Sequence, residues 1–247
     1  MHPNLKINKI KAQTVKILIF TPIWKRPEIT KLYLEGLAQL TEPCPLDIST
    51  VVILSPSDPT YQEHFDLLQE HNIDFIEAPN RPLGRKKNIA LNYLLKNERF
   101  DYLLELNSDG ILHPDIWDLY NPHITDEVPL IGLRNLYFWD KVEDKVYFQY
   151  DYATDGHTFG SGRLYHRSIL CENFWDDNWQ FGLDIAVVKR NNIKDFGIDT
   201  GFQPLMLDIK TATNLNPMPL ILARREGRPV EVDRLVLKIF MPDNKEI

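Results

Sequence analysis

The stretch LLELNSDGILHPD, residues 103–115, is the part of the sequence that decides the fold. Its apolar half predicts a buried strand, and that strand ends abruptly at a group of polar side chains. Five residues with side-chain oxygens surround this end: Glu105, Asn107, Ser108, Asp109 and Asp115. In open sheets of parallel strands, ligands bind outside the carboxyl ends of the strands. The stretch therefore predicts a binding site, provided that neighbouring strands run parallel to this one.

The residues before this stretch alternate between strand and helix patterns. Short apolar runs bounded by turn residues predict strands over residues 14–20, 50–54, 73–77 and 100–106. Amphipathic helix patterns lie between these strands, and the first begins at Pro27. Such alternation predicts a parallel sheet with helices on both faces. The fold class is therefore α/β, with a Rossmann-like first half over approximately residues 14–112.

The second half, approximately residues 113–247, has a different pattern. VPLIGLRNLYFW and KVYFQYDY predict strands, with an antiparallel hairpin around residues 139–145. GLDIAVVKRNN predicts a helix, and residues 204–211 predict a further strand. We expect a smaller, mixed and partly antiparallel half, within a single domain of residues 1–247. The last 25 residues, with VEVDRLVLKIF, either cover the core or form a homodimer contact.

Composition limits the class of protein. Hydrophobic residues make up 43% and charged residues 26% of the chain, as in ordinary soluble globular proteins. No apolar run approaches the roughly 20 residues of a membrane helix. MHPNLKINKIKAQ, at the N-terminus, lacks the apolar segment of a signal peptide. Cys44 and Cys171 form no disulfide or metal pattern, so a cytoplasmic protein with no membrane partner is the simplest prediction.

Charge is unevenly distributed along the chain. The net charge of −7 does not favour nucleic acid as a partner. Basic residues cluster at three places: Arg85 to Lys87, Lys189 with Arg190, and Arg224 and Arg225 with Arg228. The last two clusters are typical of solvated surfaces. The first lies at a helix start, where cations oppose the helix dipole, so either a diphosphate binds there or the cations are solvated.

Two segments carry carboxylates in positions that suit chemistry. Asn107 and Asp109 lie on the same side of an extended chain, and their oxygens suit Mg²⁺ or Mn²⁺, which in turn binds phosphate. The alternative is a polar turn, in which Asp109 binds only backbone amides before a helix that starts near Pro114. Asp184, in FGLDIAVVKR, is either a helix cap or a general base in a cleft.

Four segments resemble, in order, the motifs of GT-A glycosyltransferases, particularly glycosyltransferase family 2. ILIFTPIWKRPE is similar to that family's opening strand and T-x-x-x-R-P loop, and GRKKNIALNY resembles its A-R-N-x-G helix start. LNSDGILHPD resembles the L-D-S-D-D-x-L-x-P-D segment, and GLDIAVVKR resembles the E-D-x-x-L-x-x-R segment. The resemblance covers roughly residues 14–210. It implies a GT-A fold, with a mostly parallel central sheet flanked by helices.

The resemblance also implies an activity and a set of site residues. It implies an inverting, metal-dependent transfer of a sugar from a nucleotide-diphosphate sugar to an acceptor hydroxyl. Asp184 matches the general base, and Asp109 matches the metal-binding Asp of the D-x-D motif, with Mn²⁺ or Mg²⁺ as cofactor. Asp208 is a candidate substitute for the family's late His metal ligand. Donor binding is expected of Thr21, Pro22, Arg26, Asp58, Arg85, Lys86, Asn88, Asn107 and Ser108.

The sequence departs from the family pattern at several positions. Asn107 replaces the first Asp of D-x-D, Gly110 replaces an acid, and Leu183 replaces the Glu beside the base. These changes lower the negative charge offered to a metal. After the second strand, VVILSPSD keeps only Asp58 where the family binds the nucleobase, so the donor nucleotide stays open.

Two other classes of protein are alternatives. A sugar nucleotidyltransferase usually has a glycine-rich and Arg/Lys-rich loop after the first strand, and TPIWKRP lacks the glycines. A non-catalytic module that binds a nucleotide or glycan is favoured by the depleted acidic motif. If the protein is an enzyme, residues 14–112 are expected to bind the donor and residues 113–247 the acceptor. A soluble glycan, a protein side chain and a modified DNA base all remain candidate acceptors.

Overall fold

The computed structural model of the protein describes residues 14–42, 44, 46–151, 157–223 and 229–242. Two sequence predictions concern residues outside these ranges: the missing signal peptide in residues 1–13, and the basic cluster of Arg224, Arg225 and Arg228. Within the described ranges, no helix is long and apolar enough to cross a membrane. Cys44 and Cys171 are free thiols.

Strands in the described part of the chain form two sheets. They are β1 (Lys16–Pro22), β2 (Asp47–Leu54), β3 (Asp74–Glu77), β4 (Tyr102–Glu105), β5 (Gly110–Leu112), β6 (Leu130–Leu133), β7 (Leu136–Asp140), β8 (Lys145–Gln149), β9 (Arg163–His166), β10 (Phe196–Ile198), β11 (Met206–Lys210) and β12 (Val230–Val232). The α-helices are α1 (Pro27–Thr41), α2 (Tyr61–Glu70), α3 (Leu83–Asn97), α4 (Ile116–Thr125), α5 (Leu183–Arg190), α6 (Met218–Leu222) and α7 (Leu237–Phe240).

The larger sheet has the strand order β10-β6-β9-β4-β1-β2-β3. Strands β1 to β4 are mutually parallel where they pair, and β9 is antiparallel to both of its neighbours. Successive side chains of β1 point to opposite faces of the sheet, which explains why helices cover both faces. Ile17 and Ile19 pack in the same core as α1, whereas Leu18 and Phe20 pack in the same core as α3. The predicted α/β fold with a mostly parallel sheet is confirmed.

The smaller sheet has the order β12-β8-β7-β11-β5 and is mixed, as expected. The predicted hairpin is present as the antiparallel pair β7 and β8. The segment VPLIGLRNLYFW, however, contributes to both sheets. It contains β6 of the larger sheet and β7 of the smaller sheet, and the chain crosses between them at Arg134 and Asn135. The buried Asn135 side chain donates to Asp199 Oδ1 over 2.6 Å, which fixes the crossing between the sheets.

The chain passes from the larger sheet to the smaller one at the residues that opened the sequence analysis. Strand β4 lies in the larger sheet and β5 in the smaller, so residues 106–109 form the junction between them. Ile209 N, on β11, donates to Asp109 O over 2.7 Å and fixes the junction from the other side. Polar side chains of both sheets therefore meet at one place.

The C-terminal segment covers part of the core. Leu237 and Phe240 of α7 are buried, and the Phe240 ring lies 6.4 Å from that of Tyr137 on β7, centre to centre. Of the two roles expected for this segment, the described residues therefore support the cover. The homodimer contact stays a prediction.

Substitution of Gly84 tests the packing of α3. A Cβ at Gly84 would lie 1.9 Å from Asp176 O, and Gly84 N already donates to Trp179 O over 3.0 Å. Both neighbours are backbone atoms, so they have little freedom to move. We expect Gly84→Ala to lower the free energy of unfolding by about 1–3 kcal/mol, as measured by urea denaturation.

The matched control is Arg85→Ala, one residue further along the same helix. The Arg85 side chain is exposed, so its removal is expected to change stability by less than about 0.5 kcal/mol. Wild-type stability in Gly84→Ala, or an equal loss in both variants, would contradict the packing described for the start of α3.

Candidate active site

A cavity of about 380 Å³ opens at the carboxyl ends of β1 and β4. Its walls come from the loop after β1, the start of α3, the junction between the sheets, the segment before α5 and the chain around β11. Eight of the predicted site residues line it: Pro22, Arg26, Lys86, Asn107, Ser108, Asp109, Asp184 and Asp208. Four do not: Thr21, Asp58, Arg85 and Asn88.

Asp58 and Thr21 hold the scaffold of the site. Asp58 Oδ2 accepts a hydrogen bond from Lys25 N over 2.7 Å, and Asp58 Oδ1 accepts one from Thr60 N over 2.9 Å. Asp58 thereby fixes the loop after β1 that carries Arg26. Thr21 Oγ1 lies 2.6 Å from Tyr33 OH, within the core. The donor-binding roles of Asp58 and Thr21 stay predictions.

Asn88 clamps the segment that leads towards α5. Its Nδ2 donates to Trp175 O and to Asp177 Oδ1, each over 2.7 Å, and its Oδ1 accepts from Trp175 N over 3.0 Å. Asn88, the Asn of GRKKN, therefore joins α3 to the second half of the chain. Arg85, three residues earlier, is exposed.

Asp109 is bound by two side chains at the junction of the sheets. Arg26 Nη1 lies 3.2 Å from Asp109 Oδ2, and Asn214 Nδ2 donates to the same oxygen over 2.6 Å. Arg26 Nη1 also donates to Asn214 Oδ1 over 2.8 Å, so the three side chains form a closed triangle. The sequence alone leaves open a polar turn in which the Asp109 carboxylate binds only backbone amides. The contacts of Asp109 Oδ2 are instead with the side chains of Arg26 and Asn214. Asn214 lies in TATNLNP, which carries no recognisable pattern.

Asp208 and Lys210 form a second charged pair beside the first. Lys210 Nζ donates to Asp208 Oδ2 over 2.8 Å and lies 2.7 Å from Oδ1, and both residues are 7% exposed. Lys210 Nζ also lies 5.3 Å from the centre of the Phe138 ring. Burial raises the pKa of Asp208, and the nearby Asp109 raises it further, whereas Lys210 opposes the shift.

The two carboxylates expected to hold a metal lie close together. Asp208 pairs with Gly110 across β11 and β5, next to Asp109. Each carboxylate is already paired with a cation of the chain, however, and the described residues contain no group of three His, Cys, Asp or Glu side chains suited to a metal. Divalent cations in proteins take several oxygen ligands. Substrate phosphates can supply part of that set beside one or two carboxylates. What argues against a divalent cation here is that Arg26 and Lys210 already engage both carboxylates, so in this arrangement the donor set does not fit one.

The second lysine of GRKKN is neutralised inside the protein. Lys87 forms a buried ion pair with Glu105, whose Oε2 also accepts from Tyr165 OH over 3.0 Å. Lys87 Nζ lies 5.2 Å from the centre of the Trp175 ring. Glu105 was among the oxygen-bearing residues at the strand end, but nothing in the sequence identified its partner.

Lys86, the first lysine of GRKKN, lines the cavity together with Lys87. It is 1% exposed, and its Nζ donates to Ile23 O over 2.6 Å. Burial lowers the pKa of Lys86 to about 7, while Asp58 opposes the shift. An anion entering the cavity would favour the protonated form and raise this pKa again.

Asp184 also lines the cavity. It lies in the first turn of α5, behind Gly182 at φ 65°, and no side-chain hydrogen bond caps this helix. Its main-chain oxygen accepts from Arg163 Nη1 over 2.5 Å, and Arg163, which is fully buried, also donates to Thr158 O. No described residue donates a hydrogen bond to the Asp184 carboxylate. Gly160 packs against it, since a Cβ there would lie 2.9 Å from Asp184 Cβ.

The overall fold is similar to solved structures. TarS 1–349 from S. aureus, in complex with UDP-GlcNAc, superposes with a TM-score of 0.56 at 12% identity, over 92% of this chain and 72% of that one. The mannosyltransferase PcManGT from Pyrobaculum calidifontis, in complex with GDP-Man and Mn²⁺, gives a TM-score of 0.57 at 11% identity, over 85% and 61% of the two chains. The chain spans 43% of a longer TarS structure.

No family model matches the sequence, and no curated protein matches it. The structural similarities, at such low identity, concern the fold. Together with the two sheets described above, they show that this chain has the fold of the GT-A glycosyltransferases. The fold implied by the resemblance of the four motifs is therefore confirmed.

The lowered pKa of Lys86 predicts a specific dependence of stability on pH. Between about pH 7 and 10.5 the unfolded chain binds a proton at Lys86 that the folded protein does not, so stability rises with pH in this window. Lys86→Met cannot titrate at this position. We therefore expect the unfolding free energy of wild type, minus that of Lys86→Met, to increase by about 1.4 kcal/mol for each pH unit above pH 7. Urea denaturation of both proteins at pH 6, 7, 8 and 9 measures it.

The same comparison for Lys96→Met is the control, because Lys96 is exposed and its ion pair with Glu172 lies on the surface. Its stability difference from wild type should stay constant over this range. A constant difference for Lys86→Met as well would mean that Lys86 keeps the ordinary pKa of a solvated lysine.

Proposed function

We propose that the protein is a glycosyltransferase that transfers a sugar from a nucleotide-diphosphate sugar to an acceptor hydroxyl. The observation that carries this proposal is one cavity lined both by cations and by a carboxylate that accepts no hydrogen bond from the described residues. Lys86, Arg26 and Lys210 line it together with Asp184. Cations suit the leaving diphosphate, and a free carboxylate suits proton removal. Two structures of the same fold contain nucleotide sugars, UDP-GlcNAc in TarS and GDP-Man in PcManGT.

The two halves of the chain contribute differently to this cavity. Arg26 and Lys86 come from residues 14–112, which supports donor binding by that half, whereas the third cation, Lys210, comes from residues 113–247, so in this proposal both halves supply positive charge to the donor. Asp184 comes from residues 113–247, which supports acceptor binding by the other. Phe181 lines the same cavity and is 58% exposed, so it offers a face on which a sugar ring can stack. A soluble glycan, a protein and a modified DNA base all remain candidate acceptors.

In the proposed reaction, the bond between the anomeric carbon and the diphosphate oxygen breaks as the acceptor oxygen bonds to that carbon. Asp184 takes the proton of the acceptor hydroxyl, and the diphosphate leaves with the bonding electron pair. Attack from the side opposite the leaving group inverts the anomeric centre. Cations held in place before the reaction stabilise the charge that develops on the diphosphate. Arg163 acts as a positioning residue, through its bond to the main chain of Asp184.

Metal dependence is the part of the expected activity that the site supports least. PcManGT is described with Mn²⁺, but in this chain Asp109 and Asp208 are paired with Arg26 and Lys210. No step proposed above passes through a metal. The Asp184 carboxylate lines the cavity and accepts no hydrogen bond from the described part of the chain, which favours an enzyme over a non-catalytic binding module. Product analysis distinguishes the classes, since a nucleotidyltransferase would form a nucleotide sugar from a nucleoside triphosphate and a sugar phosphate.

Asp184→Asn tests the general base. The amide keeps the shape of the side chain but cannot take a proton, so we expect the transfer rate to fall by about 10²–10⁴-fold. The affinity for nucleoside diphosphate should change little. The assay measures release of UDP or GDP from the nucleotide sugar in the presence of glycan, protein and DNA acceptors, and isothermal titration measures binding.

Asp118→Asn is the matched control. Asp118 also lies in the first turn of a helix, α4, but it is exposed and does not line the cavity. It should transfer sugar at the wild-type rate. Wild-type turnover in Asp184→Asn would remove Asp184 from the reaction. Nucleotide binding by the wild type without turnover on any of the acceptors would favour the binding module.

A further inference from the structure

We propose that this protein binds the diphosphate of its donor without a divalent cation, because Arg26 and Lys210 supply the positive charge from within the chain. This inference rests on the proposed function and specifies how its donor site works. It concerns the position at which the D-x-D motif of the resembling family holds a metal. Two ion pairs form a charged cluster at this position, Arg26 with Asp109 and Lys210 with Asp208.

The charges of the cluster balance in the same way as those of a metal site. A divalent ion between two carboxylates adds two positive charges to two negative ones. Here Arg26 is paired with Asp109, and Lys210 is paired with Asp208, so two side chains supply the same total positive charge. The diphosphate would therefore meet a site with a similar charge balance, but one in which the positive charge is covalently part of the chain.

Arg26 is held in a conformation that leaves part of its guanidinium group available. Its backbone is left-handed at φ 57°, directly before Pro27, and the side chain is 15% exposed. The contacts with Asp109 and Asn214 both involve Nη1. No described residue accepts a hydrogen bond from Nη2 or Nε. Guanidinium groups bind phosphate oxygens through two parallel N–H donors, so the unused nitrogens suit a diphosphate in the cavity.

Lys210 is held as a buried cation at the other side of the cluster. Its side chain is 9% exposed, and it lies between the Asp208 carboxylate and the face of Phe138. Both neighbours stabilise the charged ammonium group in a place where an unpaired charge would be costly. Lys210 also lines the cavity. The inference requires its ammonium group to donate a hydrogen bond to an entering phosphate.

A divalent cation would disturb this arrangement rather than complete it. Before a donor binds, adding such an ion would set four positive charges against the two carboxylates, unless Arg26 and Lys210 moved away. Removing Lys210 from Asp208 would leave a buried cation without its partner, which is unfavourable. The carboxylates are thus better explained as partners that keep the two side-chain cations charged and oriented.

Isothermal titration with UDP and with GDP tests the inference directly. The wild-type protein is titrated in EDTA, and again with Mn²⁺ and with Mg²⁺. We expect the nucleotide that binds to have a dissociation constant in EDTA within about threefold of its values with metal. Binding that requires Mn²⁺ or Mg²⁺ overturns the inference but leaves the proposed function standing. Absence of binding by both nucleotides under all three conditions overturns a donor site for UDP-sugars and GDP-sugars, the donors present in the similar structures, and with it this inference for those donors.

Two substitutions separate the roles of the carboxylates and the cations. Asp109→Asn removes the carboxylate charge that competes with the diphosphate for Arg26, while the amide oxygen can still accept a hydrogen bond and keep Arg26 oriented, so we expect tighter binding of the nucleoside diphosphate in EDTA. A metal site would instead lose a ligand in the same variant, and the affinity measured with Mn²⁺ would fall. Lys210→Met should weaken binding by about tenfold or more, because a charge-assisted hydrogen bond is lost.

Lys210→Arg is the conservative control, and it should retain most of the affinity because it retains the charge. The double variant Asp208→Asn with Lys210→Met removes the buried pair together, so it avoids an unpaired carboxylate that could unfold the protein. Its affinity should also be at least tenfold lower than that of wild type. Wild-type affinity in a folded double variant would exclude Lys210 from the donor site.

Discussion

The carboxylate of Asp109 binds Arg26 and Asn214 at the point where the chain passes from one sheet to the other. This triangle joins three segments: the loop after β1, the junction between β4 and β5, and the loop after β11. Buried charges are costly unless they are paired, so the three segments have to take positions that satisfy each other. The shape of the cavity follows from this requirement, and so does the conformation of Arg26 at the start of α1.

Much of the fold could be predicted from local sequence. Apolar runs such as residues 14–20 identify buried strands, and their alternation with helices predicts a parallel sheet. The change of sheet between β6 and β7 could not be predicted in this way, because it depends on Asn135 and its partner Asp199, 64 residues away. A continuous apolar pattern contains no information about which sheet each part joins.

The candidate site could be predicted only where chemistry follows local pattern. NSD at the end of a strand and Asp184 at the start of a helix were identified because position and residue type both pointed to chemistry. Arg163 and Asn214 were missed, since Asn214 meets Asp109 across 105 residues of sequence and lies in no motif. The interpretation of Asp109 as a metal ligand rested on its side-chain oxygens, its spacing from Asn107 and the resemblance, whereas its partners Arg26 and Asn214 became apparent only in three dimensions.

Cations that belong to the chain distinguish this site from one built around an ion, because they cannot be removed by a chelator. Crystals of the protein grown with UDP or GDP and Mn²⁺, with anomalous data collected at the manganese edge, test this account most directly. The account predicts the diphosphate in contact with Arg26 and Lys210, and no anomalous peak between Asp109 and Asp208. A manganese peak that bridges these two carboxylates and the diphosphate would contradict it.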